Sequence, residues 1–135
     1  MKRSFSIDQT IAISGESFYY DLHNCYNFQF FIYDAINKKL ELVFSKARKD
    51  NVKKEDPENL KMTFVNPKFF QLSENFLMNK QSTITEIGFK RKNDTENSGA
   101  FIDEKKSLKR DHMIIYFDED DYLRVYAESV ELHPL

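Results

Sequence analysis

Tyr26-Asn27-Phe28-Gln29-Phe30-Phe31-Ile32-Tyr33-Asp34-Ala35-Ile36-Asn37-Lys38-Lys39-Leu40-Glu41-Leu42-Val43-Phe44 is the stretch on which the fold turns. Its apolar side chains recur at every second residue, the period of a β-strand and not of a helix. Tyr26, Phe28, Phe30 and Ile32 share one face; Asn27, Gln29, Phe31 and Tyr33 share the other. Leu40, Leu42 and Phe44 repeat the pattern after a polar break. Pairing Asp34 with Lys38 leaves a three-residue loop ending on Asn37, a residue that tolerates the left-handed conformation such loops need. That register sets Ile32 opposite Leu40, Phe30 opposite Leu42 and Phe28 opposite Phe44, all on one face. A slip by one residue destroys the match.

The C-terminal part reads in the same way. Met113, Ile115 and Phe117 alternate, and so do Leu123, Val125 and Ala127. Pairing Asp118 with Tyr122 leaves Glu119-Asp120-Asp121 as the loop, with Asp121 left-handed. Phe117 then faces Leu123, Ile115 faces Val125, and Met113 faces Ala127. Between the hairpins, Leu60, Met62 and Phe64 predict a strand that stops at Asn66-Pro67, where proline removes a ladder donor. Residues 67–80 carry signals for both helix and strand; the neighbouring strands favour a strand followed by an irregular excursion. Thr83 to Phe89 reads as a strand in which Ile84 breaks the parity and Gly88 invites a bulge. One further strand is expected around Phe5, Ile7, Ile11 and Ile13, and a strand or a helical turn over Ser17 to Leu22. The expected fold is a single all-β domain over 1–135, an antiparallel meander closed as a sandwich or barrel, with one short helix at most. The charged stretches 46–57 and 90–106 read as long loops, which are mobile or functional.

The 135 residues include 20 Lys and Arg against 22 Asp and Glu, a net charge of −2. That balance argues against a nucleic-acid binder overall, while leaving a local basic patch open. Aromatic residues make up 15%, too many for a disordered chain. Met113 to Phe117 is the longest apolar run, far short of a membrane helix, and the polar residues after Met1-Lys2-Arg3 do not make a secretory leader. A cytoplasmic protein is expected. With Gly15, Gly88 and Gly99 as the only glycines, neither a dinucleotide fingerprint nor a phosphate loop can be assembled. Cys25 is the only cysteine, so no intrachain disulfide forms.

Candidate chemistry is sparse. His23 and Cys25 share a strand face at a metal-binding spacing, but a third ligand must come from elsewhere. Asp21 and His23 with Ser14 or Ser17 suggest a nucleophile and base without the strained turn that presents one. Asp118-Glu119-Asp120-Asp121 reads first as turn chemistry. The basic residues Lys46, Arg48, Lys49, Lys53, Lys54, Lys90, Arg91, Lys92, Lys105, Lys106, Lys109 and Arg110 fall in loops that lack aromatics for base stacking. The sharpest feature is the second face of the C-terminal hairpin: His112, Ile114, Tyr116, Tyr122, Arg124 and Tyr126. Tyrosine beside arginine is typical of protein–protein contact centres. This face is either a partner surface or is itself covered, and both readings stay open.

Tyr20-Asp21-Leu22, Tyr33-Asp34, Lys39 to Phe44 and Phe64-Val65-Asn66 together resemble small bacterial all-β proteins, some grouped with immunity proteins of polymorphic toxin systems. Those proteins often show His-Asp near the first strand, where this chain has Tyr20-Asp21. The resemblance spans roughly residues 17–132 and implies a protein that works by binding a partner. The leading expectation is a non-enzymatic binding module that occludes a protein partner, without a cofactor or metal. Its surface is expected at His112, Tyr116, Arg124 and Tyr126, rimmed by Asp118, Asp120 and Asp121. A homo-oligomeric module is the alternative, and a hydrolase built on Asp21 and His23 comes third.

Overall fold

A computed structural model describes residues 1–76, 83–117 and 120–135. The N-terminal part forms four short strands: β1 (Lys2–Arg3), β2 (Ser6–Asp8), β3 (Ala12–Ser14) and β4 (Tyr19–Asp21). Six longer strands follow: β5 (Tyr26–Asp34), β6 (Lys39–Lys46), β7 (Asn59–Leu72), β8 (Ile84–Lys90), β9 (His112–Phe117) and β10 (Tyr122–Pro134). A single turn of 3₁₀-helix spans Glu104–Lys106. The protein is all-β, as the alternation predicts.

Two three-stranded meanders, β5-β6-β7 and β8-β9-β10, join through an antiparallel β7–β10 ladder to give the order β5-β6-β7-β10-β9-β8. Where β9 ends, β1 pairs with β10 in parallel, Lys2 opposite Ser129 and Arg3 opposite Val130. The sheet curls strongly. Three strands separate β5 from β9, which is roughly 19 Å across a flat sheet, yet the Phe28 and Phe117 rings lie 5.2 Å apart. Phe44 and Phe76 join them edge-on. The result is a half-barrel, and the three-stranded sheet β2-β3-β4 occupies its open side. Thr10 accepts a bond from the Ile87 N–H, the His23 ring meets the Ile84 carbonyl, and Ile13 and Leu22 enter the core.

The first hairpin forms with a different register. Asp34 pairs with Lys39, so the loop has four residues, and Lys38 takes the left-handed conformation at φ 53°. Asp34 organises the turn: its carboxylate accepts the Ile36 and Asn37 N–H groups and the Asn37 side-chain amide. The Asn37 bonds hold its carboxyl below the usual range. The added loop residue sets Phe31 opposite Leu42 and Phe30 opposite Val43; a bulge at Gln29 then restores Phe28 opposite Phe44. Phe30 and Ile32 therefore leave the core, while Phe31 turns inward onto Phe70 and Phe76.

The second hairpin closes one residue earlier than expected, through a bond from the Phe117 N–H to the Asp121 carbonyl, with Asp120 left-handed at φ 70°. Leu123 consequently faces Ile115, and Val125 faces Met113. The shift is two places, an even number, so the faces survive and all four stay in the core. Ser73 favours this closure: its hydroxyl donates to Asp121 and accepts the Tyr122 N–H.

The remaining elements differ in detail. The N-terminal stretch is not one strand, because Gln9 and Thr10 at positive φ turn β2 back as β3. Ser17 to Leu22 contains strand β4. The strand from Leu60 does not stop at Pro67 but runs on to Leu72. Asn66 is left-handed at φ 54°, its N–H donating to the Lys38 carbonyl, and a register shift beside Ala127 lets the proline pass. Residues 67–72 are thus strand, whereas 77–80 lie outside the described residues. In β8 the bulge falls at Thr85, bringing Ile84 and Ile87 to the same side.

Candidate functional site

Cross-strand pairing builds the second face of β8-β9-β10. Glu86, Tyr116 and Tyr122 make one row across three strands, and Gly88, Ile114 and Arg124 make the next. This face does not meet solvent as a partner surface would. The loop between β8 and β9 lies over it, anchored where Phe101 stacks on Tyr116 at 5.4 Å. Gly88 makes room: a Cβ there would lie 2.4 Å from the Phe101 ring. Ile102 continues the anchor with a bridge to Phe89 on the outer edge of β8, shielding an edge that would otherwise be open for pairing.

Covering changes the chemistry of the predicted site residues. His112 and Arg124 are only 5% and 3% exposed, which corrects the expectation that they form an accessible surface. The Arg124 guanidinium donates to His112 Nδ1, Asn97 Oδ1 and the Arg91 carbonyl, each at 3.0 Å. His112 is therefore an acceptor at Nδ1 and stays neutral. Burial, with Arg124 and Lys92 nearby, lowers its pKa to about 4, against a smaller opposing pull from Asp111. Phe69 and Tyr126 pack on its ring at 4.8 and 5.6 Å. Tyr116 and Tyr126 are half-buried, Asp121 is buried at the Ser73 contact, and Asp120 is exposed. Asp118 lies outside the described residues.

The loop is held by charge inserted at its base. Lys90, buried at the end of β8, donates to the Ser98 carbonyl. Arg91 pairs with Asp111 at 2.6 Å, and the same Asp111 oxygen accepts the Leu108 N–H. Lys46 likewise donates to the carbonyls of Lys54 and Asp56 in the other long loop. Several of the basic residues noted in the sequence thus secure loop backbone.

Beneath the loop, next to the turn at Asp120, lies a cavity of about 850 Å³. Its floor is the row Glu86–Tyr116–Tyr122, and residues 97–101 form its roof. Asn97 links floor to roof, its amide donating to the Tyr122 hydroxyl while its carbonyl oxygen holds Arg124. The Tyr116 hydroxyl is buried without a hydrogen-bond partner among the described residues, and burial pushes its pKa up. Reading the sequence missed Asn97, Phe101 and Glu86. Gly88 within an apolar strand was the signal, since it permits a close approach from above.

The other proposed chemistry does not assemble. The Asp21 carboxylate accepts both bonds from Asn24 in a local turn, while the His23 ring faces Ile84. Among the described residues no three His, Cys, Asp or Glu side chains gather at metal-binding distance, and no helix is long and apolar enough to cross a membrane.

Among the described residues, the β5–β6 ribbon leaves a group of apolar side chains uncovered. Phe30 and Ile32 are 49% and 52% exposed, and Ile36 at the hairpin tip is 91% exposed. Strand β5 ends the sheet, and among the described residues no strand pairs with its outer edge. Compared with protein-family models, with curated proteins and with solved structures, the chain matches none.

Proposed function

We propose that the protein is a non-enzymatic binding module that takes an extended segment of a partner protein as an added strand along β5. The observation that carries this reading is the outward turn of Phe30 and Ile32 on an edge strand. Edge strands in soluble proteins are usually blunted by lysine, proline or a covering loop; from Tyr26 to Tyr33 this one has no charged residue and no proline. An added strand gains backbone hydrogen bonds for affinity, and alternate side chains against Phe30, Val43 and Ile32 for specificity. Toxin neutralisation, the role implied by the resemblance, needs only such occlusion and no cofactor. Self-pairing is the second reading, favoured by the same lack of charge, since antiparallel β5–β5 pairing meets no like-charge clash.

The experiment is affinity capture by the wild-type chain and by Phe30→Lys/Ile32→Lys, followed by amide exchange with the captured protein added. The partner is expected to be lost with the variant and to slow exchange along β5 in the wild type. Retention by the folded variant, with β5 exchange unchanged, rejects the reading. A dimer in light scattering that becomes a monomer in the variant selects self-pairing.

A further inference from the structure

We propose that the cavity beneath the β8–β9 loop is a binding site for a small organic cation, an amine or quaternary ammonium on an apolar body. At about 850 Å³ it falls within the range of ligand pockets. Among the described residues that line it, the charged side chains are Glu86 and Asp120, both acidic, with no lysine or arginine. The aromatic residues Phe101, Tyr116 and Tyr122 line it beside them. Carboxylates beside aromatic faces attract a cation twice, by charge and by the ring quadrupole.

The hydrogen bonding also points to a ligand. Arg124 can only donate, so it fixes the Asn97 carbonyl oxygen towards itself and the Asn97 amide towards the Tyr122 hydroxyl. Tyr122 is thereby an acceptor in that bond and retains its own proton to give. The Tyr122 phenol, with a proton to donate, suits an acceptor oxygen carried near the cationic end. The floor is rigid, made of adjacent strands, and the roof is pinned by Phe101 and Lys90; such a site is ready-formed and loses little ordering entropy on binding.

The test is titration of the full chain with benzyltrimethylammonium, benzyl alcohol and benzoate, read by calorimetry and by amide chemical shifts. The cation is expected to bind at least about tenfold more tightly than the alcohol or the acid, with shifts centred on Gly99, Tyr116 and Tyr122. Glu86→Gln/Asp120→Asn keeps the shape, and asparagine tolerates the positive φ of residue 120. This variant is expected to lose that preference while keeping its unfolding midpoint. Equal binding of cation and acid, shifts centred elsewhere, or no response to the cation at millimolar concentrations overturns the proposal. An unchanged preference in the folded double variant does so as well.

Discussion

His112 and Arg124 illustrate how a buried base and a buried cation can share one site. An arginine is not deprotonated in a protein, so the imidazole beside it must stay neutral, and its Nδ1 lone pair becomes an acceptor. This has a consequence for stability. The unfolded histidine titrates near 6.5 and the folded one at about 4. Between those values the unfolded chain binds a proton that the folded chain refuses, so stability falls as the pH drops. The expected loss is about 2 kcal/mol by about pH 5 and about 3 kcal/mol by about pH 4, where the folded imidazole is half titrated, and it levels off below about pH 3. Asn at position 112 retains an acceptor without a titrating proton. In urea unfolding between about pH 6.5 and 5, above most carboxylate titrations, His112→Asn is expected to flatten the slope; an equal slope in both proteins rejects the assignment.

At the level of the element, one residue in a turn decides what a strand shows to solvent. The β5–β6 loop has four residues with Lys38 left-handed at φ 53°, where glycine carries no Cβ penalty. Lys38→Gly is therefore expected to stabilise the protein by about 0.5–1 kcal/mol in denaturant unfolding. Asn37→Gly is expected to destabilise it, because Asn37 is not left-handed and bonds Asp34 through its side-chain amide at 2.7 Å. A three-residue loop ending on Asn37 reverses the order of the two variants. The alternation of 26–44 announces a hairpin plainly, yet the choice between loops of three and four residues rests on the Asp34 turn and on what lies under Phe31. The second hairpin was easier to read because its register error was even, leaving the inward set unchanged. Its outward set was legible as aromatic and basic, but not as covered. The cover comes from the loop that leads into β9, whose one aromatic anchor, Phe101, carries no periodic signal.

In the whole molecule, the half-barrel depends on ties between segments distant in sequence. Glu104, in the 3₁₀ turn, accepts the Ile7 N–H on both oxygens and pairs with Arg3 at 3.1 Å. Arg3 in turn lies over the Phe89 ring, 4.4 Å from its centroid. One carboxylate thus joins β1, β2 and the long loop to the edge of β8. Glu104→Ala leaves the Ile7 N–H without its acceptor and is expected to cost about 1–3 kcal/mol, with faster exchange at the Ile7 amide. A loss under about 0.5 kcal/mol, within the ordinary range for surface substitutions, refutes the tie. The folded chain exposes 8196 Å², against roughly 7,400 Å² for a monomer of this mass. The excess suits an open sheet with an uncovered ribbon.

Strand content, the two hairpins and the missing glycine motifs were determined by the sequence alone, because period-two alternation and turn chemistry are local properties of the chain. Which face of β5 is core, and which residues cover β8-β9-β10, only the tertiary structure decided. Both depend on contacts between segments far apart in the chain, Phe31 with Phe70 and Phe101 with Tyr116 over Gly88. A local pattern states that a strand has an apolar side, but burial is settled by whatever packs against it.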